Sequence, residues 1–153
     1  MPITENEYTF EFVKKYEEPC VIIMPCNMND LANNGPIYST SSIDILKLFK
    51  SSEIKSYLYE EDDISLQENR ANDWLGPLLF ISYMTLMQNP EMLSIILNII
   101  SSYVYDFFKG AFTPGKAKFS IIRENKDGSK TEINYEGNID GIKELEQIVK
   151  ATK

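Results

Sequence analysis

The side chains that could carry out catalysis are few in this chain, and histidine is absent from it. Without His, the Ser-His-Asp and Cys-His mechanisms, the zinc-protease motif and the usual proton shuttle at neutral pH are excluded. The two cysteines, Cys20 and Cys26, cannot provide the four nitrogen or sulfur ligands of a structural zinc site, although two copies of the chain could share one. We therefore predict no catalytic residues, no metal ligands and no cofactor.

One segment is similar to a phosphate-binding motif. Gly110 to Lys116 matches the first seven positions of the P-loop pattern, but Ala117 stands at the eighth position, where Ser or Thr should hold magnesium. The predicted order of elements is also reversed, since a helix precedes the segment and a strand follows it, so no helix N-terminus would face the phosphates. We interpret the segment as a connector in which Gly110 and Gly115 act as backbone hinges.

An acidic run lies in the middle of the chain. It does not fit an EF-hand calcium loop, because Ile64 and Ser65 interrupt the required alternation of oxygen ligands. Adjacent carboxylates repel one another and favour solvent, so we predict an exposed, solvated loop, with docking of a basic partner as the alternative. The candidate docking residues are Glu60, Glu61, Asp62 and Asp63.

A second polar loop, from Asn27 to Asn34, follows a predicted buried strand and is rich in Asn. Loops that follow buried strands often contact ligands. Asn and Asp also stabilise turns by hydrogen bonding to their own backbone. We predict turn chemistry for this loop, with a small bound ligand as the alternative.

The apolar stretch from Trp74 to Phe108 would position much of the fold. Residues 76–90 and 92–105 contain no charged side chain, which we interpret as two helices. The turn of this helical hairpin falls near Asn89 and Pro90, because Pro suits the first turn of a helix, and Gly110 would end the second helix. Both uncharged runs are shorter than the ~20 residues of a membrane span, so we predict burial or contact with a partner rather than insertion into a membrane.

The hairpin also provides a candidate interaction surface. A helix that is apolar around most of its circumference is buried, inserted in a membrane or covered by a partner. Trp and Met are favoured at adaptable contact surfaces. The candidate interaction residues are Trp74, Met84, Met87, Met92, Ile95, Ile99, Tyr103 and Phe107.

Shorter apolar patterns predict the remaining elements. The predicted strands are residues 7–12 and 21–24, paired with each other, and residues 118–122 and 131–135, which form a hairpin around the Asp127-Gly128 turn. The predicted helices begin near Ser41 and Asp140, with a further helical turn over 54–58.

These elements predict an α+β fold. A mostly antiparallel sheet, made of the N-terminal strand pair and the C-terminal β-hairpin, would pack against the apolar helical hairpin and a C-terminal helix. The 153 residues are enough for one domain. Any internal boundary would fall near residues 60–73, at and after the acidic run.

Charge and composition exclude further classes of function. The net charge of -8 comes from residues 1–115, which carry -9, whereas residues 116–153 carry +1. Nucleic-acid binding needs clustered Lys and Arg, and the two arginines, Arg70 and Arg123, are far apart, so we predict no nucleic-acid partner. Residues 1–12 have no basic n-region and no apolar h-region, so we expect no secretory signal. Cys20 and Cys26 would lie roughly 20 Å apart in extended chain, too far for a disulfide. We therefore expect a cytoplasmic protein with reduced thiols.

The C-terminal half resembles a known group of small bacterial proteins. Its motifs are residues 105–110 (Tyr-Asp-Phe-Phe-Lys-Gly), Asp127-Gly128 and residues 140–145 (Asp-Gly-Ile-Lys-Glu-Leu), placed after an apolar helical region. This layout resembles the effector-associated constant components. The resemblance implies a non-catalytic partner encoded in bacterial conflict or defence gene clusters, with no catalytic residues to transfer.

The sequence therefore predicts a non-enzymatic interaction or regulatory module that works with a larger protein or by self-association. Two alternatives stay open. One is a small-ligand-binding protein, or an unusual enzyme that uses Lys, Tyr or carboxylates around the Asn27 to Asn34 loop. The other is a membrane-active protein whose 74–108 hairpin opens into lipid.

Overall fold

The computed structural model describes residues 3–9, 16–17, 19–28, 31–68, 73–110 and 115–151. The strands in these residues are β1 (Ile3–Tyr8), β2 (Val21–Met24), β3 (Ile37–Ser39), β4 (Ser56–Leu58), β5 (Ser65–Gln67), β6 (Trp74–Ile81), β7 (Ala117–Glu124) and β8 (Lys130–Gly137). The α-helices are α1 (Leu31–Asn34), α2 (Thr40–Ser51), α3 (Tyr83–Gln88), α4 (Glu91–Phe108) and α5 (Leu145–Lys150), and a 3-10 helix (Ile139–Glu144) precedes α5.

The main sheet is mixed, so the prediction of a mostly antiparallel sheet is wrong. Its strand order is β1-β8-β7-β6-β2-β4. The pairs β6–β7 and β2–β4 are parallel, and β1–β8, β7–β8 and β2–β6 are antiparallel. A parallel pair needs a long crossover between its strands, and α3 and α4 provide it for β6 and β7. Strands β3 and β5 form a separate parallel ribbon, called here the β3–β5 ribbon.

The predicted N-terminal strand pair is also wrong. β1 lies at the edge of the sheet and pairs with β8, and β2 pairs with β4 and β6. The order of strands along the chain therefore does not match their order in the sheet. Of the predicted first strand, Phe10 and Phe12 lie outside the described residues.

The predicted helical hairpin is a strand, a short helix and a long helix. Trp74–Ile81 forms β6, which pairs with strands on both sides, and most of its residues are buried. A strand buried on both faces has an uncharged sequence that periodicity alone does not distinguish from a buried helix. Gly76 and Pro77, which disfavour a helix, lie where the β6–β7 register shifts, between Leu75 and Leu78.

Gly76 is required by the packing of Trp74. A Cβ atom at this position would lie 2.4 Å from the Trp74 ring and 2.8 Å from Cβ of Phe119. The indole ring therefore lies directly over the backbone of its own strand. Neighbouring strands hold both residues, so no larger side chain fits without moving β6.

One face of the sheet packs against α2, α4, the 3-10 helix and α5. The sheet residues in this core alternate along each strand, as expected for a strand that uses one face. They include Val21, Ile23, Leu79, Ile81, Phe119, Ile121, Ile133 and Tyr135. The helices contribute Ile45, Phe49, Leu93, Ile96, Ile100, Val104, Ile142, Leu145 and Val149.

The opposite face of the sheet carries a smaller apolar cluster. It contains Ile22, Met24, Phe80 and Ile122, which alternate with the core residues of their strands, together with Cys20 and Tyr59. Towards β7 and β8 this face becomes polar. The two faces of the sheet therefore differ, and the polar part is where cavities form.

The other predicted elements are partly correct. The β7–β8 hairpin is present, with the backbone N–H of Asn125 donating to the carbonyl of Ser129 at 2.7 Å, and α2 begins at Thr40 after its N-cap Ser39. The helical turn predicted for residues 54–58 is wrong, because Ser56–Leu58 forms β4 and pairs with β2. The C-terminal helix begins as a 3-10 turn capped by Asn138.

Within the described residues, α4 is long and apolar enough to cross a membrane by length and composition, a test that the core helix of a soluble protein also passes. Six of its side chains pack in the core: Met92, Leu93, Ile96, Leu97, Ile100 and Val104. The described residues therefore form a soluble domain in which α4 is a core helix. Whether residues 60–73 contain a domain boundary stays a prediction.

Candidate functional site

The eight predicted interaction residues fall into three groups. Four large side chains are exposed, with 49% of Met84, 52% of Met87, 43% of Ile95 and 40% of Phe107 accessible. Trp74 and Met92 are buried in the core, and Ile99 and Tyr103 are half-buried against it. The structure therefore leaves part of the predicted surface exposed and places the rest inside the domain.

Trp74 is a core residue. Its ring is fully buried and packs 5.8 Å from the ring of Tyr103 and 6.2 Å from the ring of Phe119, between ring centroids. Its indole N–H has no hydrogen-bond partner in the described part of the protein. An aromatic side chain held in this way fixes α4 on the sheet and is not available to a partner.

Helix α3 is fastened at its first turn. The hydroxyl of Ser82 accepts a hydrogen bond from the backbone N–H of Thr85 at 3.1 Å. The N–H of Tyr83 donates to Oε1 of Glu124 at 3.0 Å, and the N–H of Cys20 donates to Oγ1 of Thr85 at 3.1 Å. These contacts tie α3 to β7 and to the start of β2. Since Leu86 faces the core, Met84 and Met87 are held outward.

The exposed part of α3 and of the first turns of α4 is largely apolar and carries one charged residue, the acidic Glu91. Glu91 and Ile95 are one helical turn apart on the exposed face of α4. Residues 74–108 contain two charged side chains, Glu91 and Asp106, and no Lys or Arg. We call Met84, Met87, Glu91 and Ile95 the α3–α4 surface.

The acidic loop is exposed and has a fixed backbone. The hydroxyl of the buried Tyr38 donates to the carbonyl of Glu60 at 2.7 Å and accepts from the N–H of Glu60 at 2.9 Å. Burial raises the pKa of Tyr38 to about 12, so the hydroxyl keeps the proton that it donates. Glu61, Asp62 and Asp63 are exposed, and Asp63 adopts a positive φ of 53°.

The Asn27 to Asn34 loop uses its first side chain for turn chemistry. Asn27 donates through Nδ2 to the carbonyl of Gly35 at 2.6 Å and accepts through Oδ1 from the N–H of Ile37 at 2.8 Å. The nitrogen and the oxygen of this side-chain amide therefore both hold the loop closed. Asn29 and Asp30 lie outside the described residues.

The P-loop-like segment forms the connection into β7. Residues 111–114 lie outside the described part of the chain. The backbone N–H of Lys116 donates to Oδ1 of Asp73 at 2.8 Å, and its carbonyl accepts from the N–H of Trp74 at 2.9 Å. The backbone of Lys116 therefore takes part in the pairing of β6 with β7, as expected of a connector. Among the described residues no group of three or more Cys, Asp or Glu side chains could hold a metal ion.

A cavity that the sequence did not predict lies on the polar face of the sheet. It has a volume of about 470 Å³ and lies between the β3–β5 ribbon and strands β6, β7 and β8. A second cavity of about 490 Å³ adjoins it near the end of β1. Both cavities are lined by Cys26, Leu78 and Glu132. Volumes of this size are typical of small-molecule sites.

Glu132 is the most unusual group in these cavities. Its side chain is half-buried, and within the described part of the protein it forms no hydrogen bond and no ion pair. Burial raises the pKa of this carboxyl group, because a carboxylate removed from water without a partner is less stable. Perturbed carboxyl groups in clefts are candidate functional residues.

Cys26 is a weak candidate for a nucleophile. The residue is exposed, but partial burial of its thiol raises the pKa, which disfavours the reactive thiolate. The thiol lies 3.6 Å from Oε1 of Gln67, to which it donates. Cys26 therefore lines the cavities, and its surroundings do not make the thiol more reactive. Cys20 is also a free thiol and is buried.

Only part of this site could be predicted from the sequence. In β8, Glu132 and Asn134 alternate with the core residues Ile133 and Tyr135, which places both on the second face of the sheet. The enclosure comes from the β3–β5 ribbon and from the end of β1, which are distant in sequence.

No protein family, curated protein or solved structure matches the chain. The resemblance to the effector-associated constant components therefore stays a prediction. The features that bear on function are the α3–α4 surface and the cavities on the polar face.

Proposed function

We propose that the protein is a non-enzymatic interaction module that binds a protein partner through the α3–α4 surface. The observation that carries this proposal is the exposure of Met84 and Met87, about half of each side chain, on a helix whose first turn is fixed by three hydrogen bonds. Covering apolar surface is favourable by about 25 cal/mol per Å². Unbranched Met side chains adapt to a partner's shape.

Charge favours a basic partner over a second copy of the chain. The α3–α4 surface carries Glu91 and no basic residue, and the chain has a net charge of -8. Two copies facing each other through this surface would bring like charges together, which is unfavourable. An apolar segment flanked by Lys or Arg would be complementary. The exposed acidic loop, residues 60–63, would speed its approach by electrostatic steering.

The cellular setting is part of the same proposal. Two free thiols in the described structure suit a reducing compartment, and we place the protein in the cytoplasm. The resemblance in the C-terminal half suggests that the partner belongs to a bacterial conflict or defence system. The raised pKa of the Cys26 thiol disfavours a reactive thiolate, which supports binding over nucleophilic catalysis.

The proposal is tested by comparing matched surface variants. The tagged protein, a Met84→Ser/Met87→Ser variant and a Leu66→Ser control are used to isolate partners from the native cell, with quantitative mass spectrometry. Leu66 is 51% exposed on β5, so its substitution removes a similar apolar side chain from a different element. We expect a partner retained by the wild type and the control to be lost from the double variant.

Support requires a second step with purified components. The partner must bind directly, its contact segment must carry Lys or Arg, and affinity must fall when the α3–α4 surface changes. All three exposed substitutions should leave thermal stability nearly unchanged. Equal recovery of every protein by all three baits, or a monomer that retains no partner, would contradict the proposal.

A further inference from the structure

The two cavities on the polar face meet at Glu132. This residue pairs with Asn6 of β1 and Ile122 of β7, and its strand neighbour Ile133 faces the core. Its carboxyl group therefore lies on the second face of the sheet, between the cavity under the β3–β5 ribbon and the cavity at the end of β1. Leu78 lines both cavities and provides an apolar wall beside the carboxyl group.

Among the described residues, no cation pairs with Glu132. The basic residue among the described lining of the first cavity is Lys118, whose ammonium lies 3.3 Å from Asp73 and 3.7 Å from Glu136. The described lining of the second cavity adds Glu7 and Tyr8 and contains no Lys or Arg. An anion bound here would face uncompensated negative charge. A bound cation would instead stabilise the half-buried carboxylate of Glu132.

The apolar walls define the rest of the ligand. Met24 and Pro77 line the first cavity, Met28 lines the second, and Leu78 joins them. Thioether and aliphatic walls suit a methylene chain. Inorganic cations would instead need several oxygen ligands, and no carboxylate cluster in the described residues provides them.

We propose that these joined cavities bind a small aliphatic amine, with its ammonium group donating hydrogen bonds to the carboxylate of Glu132 and its carbon chain packed along Leu78. The phenol of Tyr8 lies beside the same carboxylate and stays protonated, since burial and the charge of Glu132 raise its pKa to about 12. A half-buried, unpaired carboxylate lowers the stability of the fold. Its presence at a cavity is therefore explained by a ligand that pairs with it.

The experiment uses the full-length protein and three probes of equal chain length. Two-dimensional NMR near neutral pH would follow titrations with 1-aminopentane, 1-pentanol and pentanoate. We expect the amine alone to shift the amide resonances of Cys26, Leu78 and Glu132. Equal shifts with the neutral alcohol, or no shift with the amine at millimolar concentrations, would overturn the proposal.

Two variants separate this site from the α3–α4 surface. Glu132→Gln should weaken amine binding by about tenfold or more, because a charge-assisted hydrogen bond is lost. Glu91→Gln, which removes a carboxylate from the α3–α4 surface, should leave amine binding unchanged. Loss of amine binding in both variants would show that binding depends on the net charge of the protein, and the proposed site would be rejected. The amine assignment does not depend on the protein partner, so either proposal can fail alone.

A measurement on the wild-type protein removes any dependence on folding of the variant. The carboxyl carbon of Glu132 can be followed by ¹³C NMR during a pH titration. Added 1-aminopentane should lower the pKa of this group, because the ammonium stabilises the carboxylate; an unchanged value would count against the contact. Finally, Nα-acetyl-lysine N-methylamide carries the same ammonium on a peptide unit. If it binds more tightly than 1-aminopentane, the site accepts a lysine of a polypeptide and the free-amine assignment is wrong.

Discussion

The guanidinium of Arg123 donates from Nη1 to the backbone carbonyl of Ile148 at 2.6 Å, and this contact ties β7 to the C-terminal helix α5. The side chain is fully buried. Its Nε donates to Oδ1 of Asn125 at 3.0 Å, whereas Nη2 lies 4.0 Å from the carboxylate of Glu5 and has no hydrogen bond among the described residues. Burial lowers the pKa of this group. A buried cation at the end of a helix thus connects three parts of the sequence.

We predict that Arg123→Lys destabilises the protein by about 2–4 kcal/mol, because an ammonium group cannot reproduce the planar fork that reaches Asn125 and Ile148. Urea denaturation followed by circular dichroism measures the change. Lys55→Met is the control: it removes a cation from an exposed ion pair with Glu17, which should have little effect on stability. Equal midpoints for the wild type and Arg123→Lys would show that the buried contacts are not important for stability.

The close approach of Gly76 to Trp74 gives a second prediction. Gly76→Ala should destabilise the fold by about 1–3 kcal/mol, because the new methyl group overlaps the indole ring. The fluorescence of Trp74, the single tryptophan of the chain, should change as the ring moves. A Trp74→Leu background should reduce the cost of Gly76→Ala, since the overlapping ring is gone. A double-mutant cycle measures this coupling, and strictly additive effects would disprove the contact.

The carboxyl group of Glu132 should make stability depend on pH. Its pKa is raised in the folded protein, so the folded state binds more protons than the unfolded state at pH values between the ordinary and the raised pKa. Stability from this group is therefore lost as pH increases through that interval and stays lost at neutral pH. Glu132→Gln should be more stable than the wild type at neutral pH, and the difference should vanish below the ordinary pKa of Glu.

Denaturation of both proteins over a pH series provides the measurement. The comparison with Glu132→Gln isolates this group from carboxyl groups with lowered pKa values, such as Asp73 and Asp127. The described titratable residues that line the two cavities with Glu132 are Glu7, Tyr8, Cys26, Lys118, Tyr135 and Glu136. They are present in both proteins. A difference that grew at low pH would contradict the raised pKa.

The contact between Tyr38 and Glu60 predicts how the acidic loop is held. Tyr38→Phe removes two hydrogen bonds to the backbone of Glu60, at a cost of about 1–2 kcal/mol. Hydrogen exchange should become faster over residues 60–63. Tyr105→Phe is a matched control, because Tyr105 is 59% exposed on α4. Unchanged exchange in Tyr38→Phe would mean that other contacts hold the loop.

The sequence by itself determined the elements whose stability is local. The β7–β8 hairpin follows from two alternating segments joined by a turn with Gly128, whose φ of 90° suits glycine. Helices α2 and α4 follow from apolar spacing and from Pro90 at the start of α4. The absence of His, a matter of composition alone, also excludes whole classes of catalysis.

The tertiary structure decided what depends on distant partners. Trp74–Ile81 is a strand because β2 and β7 pair with it on either side, and its apolar sequence is compatible with a helix as well as with a strand. β1 joins β8 from the other end of the chain. The cavity site depends on the same long-range pairing, since Cys26, Leu78 and Glu132 come from three separate segments. Neither their proximity nor the lack of a partner for Glu132 among the described residues follows from local sequence, because both result from how the strands are ordered in the sheet.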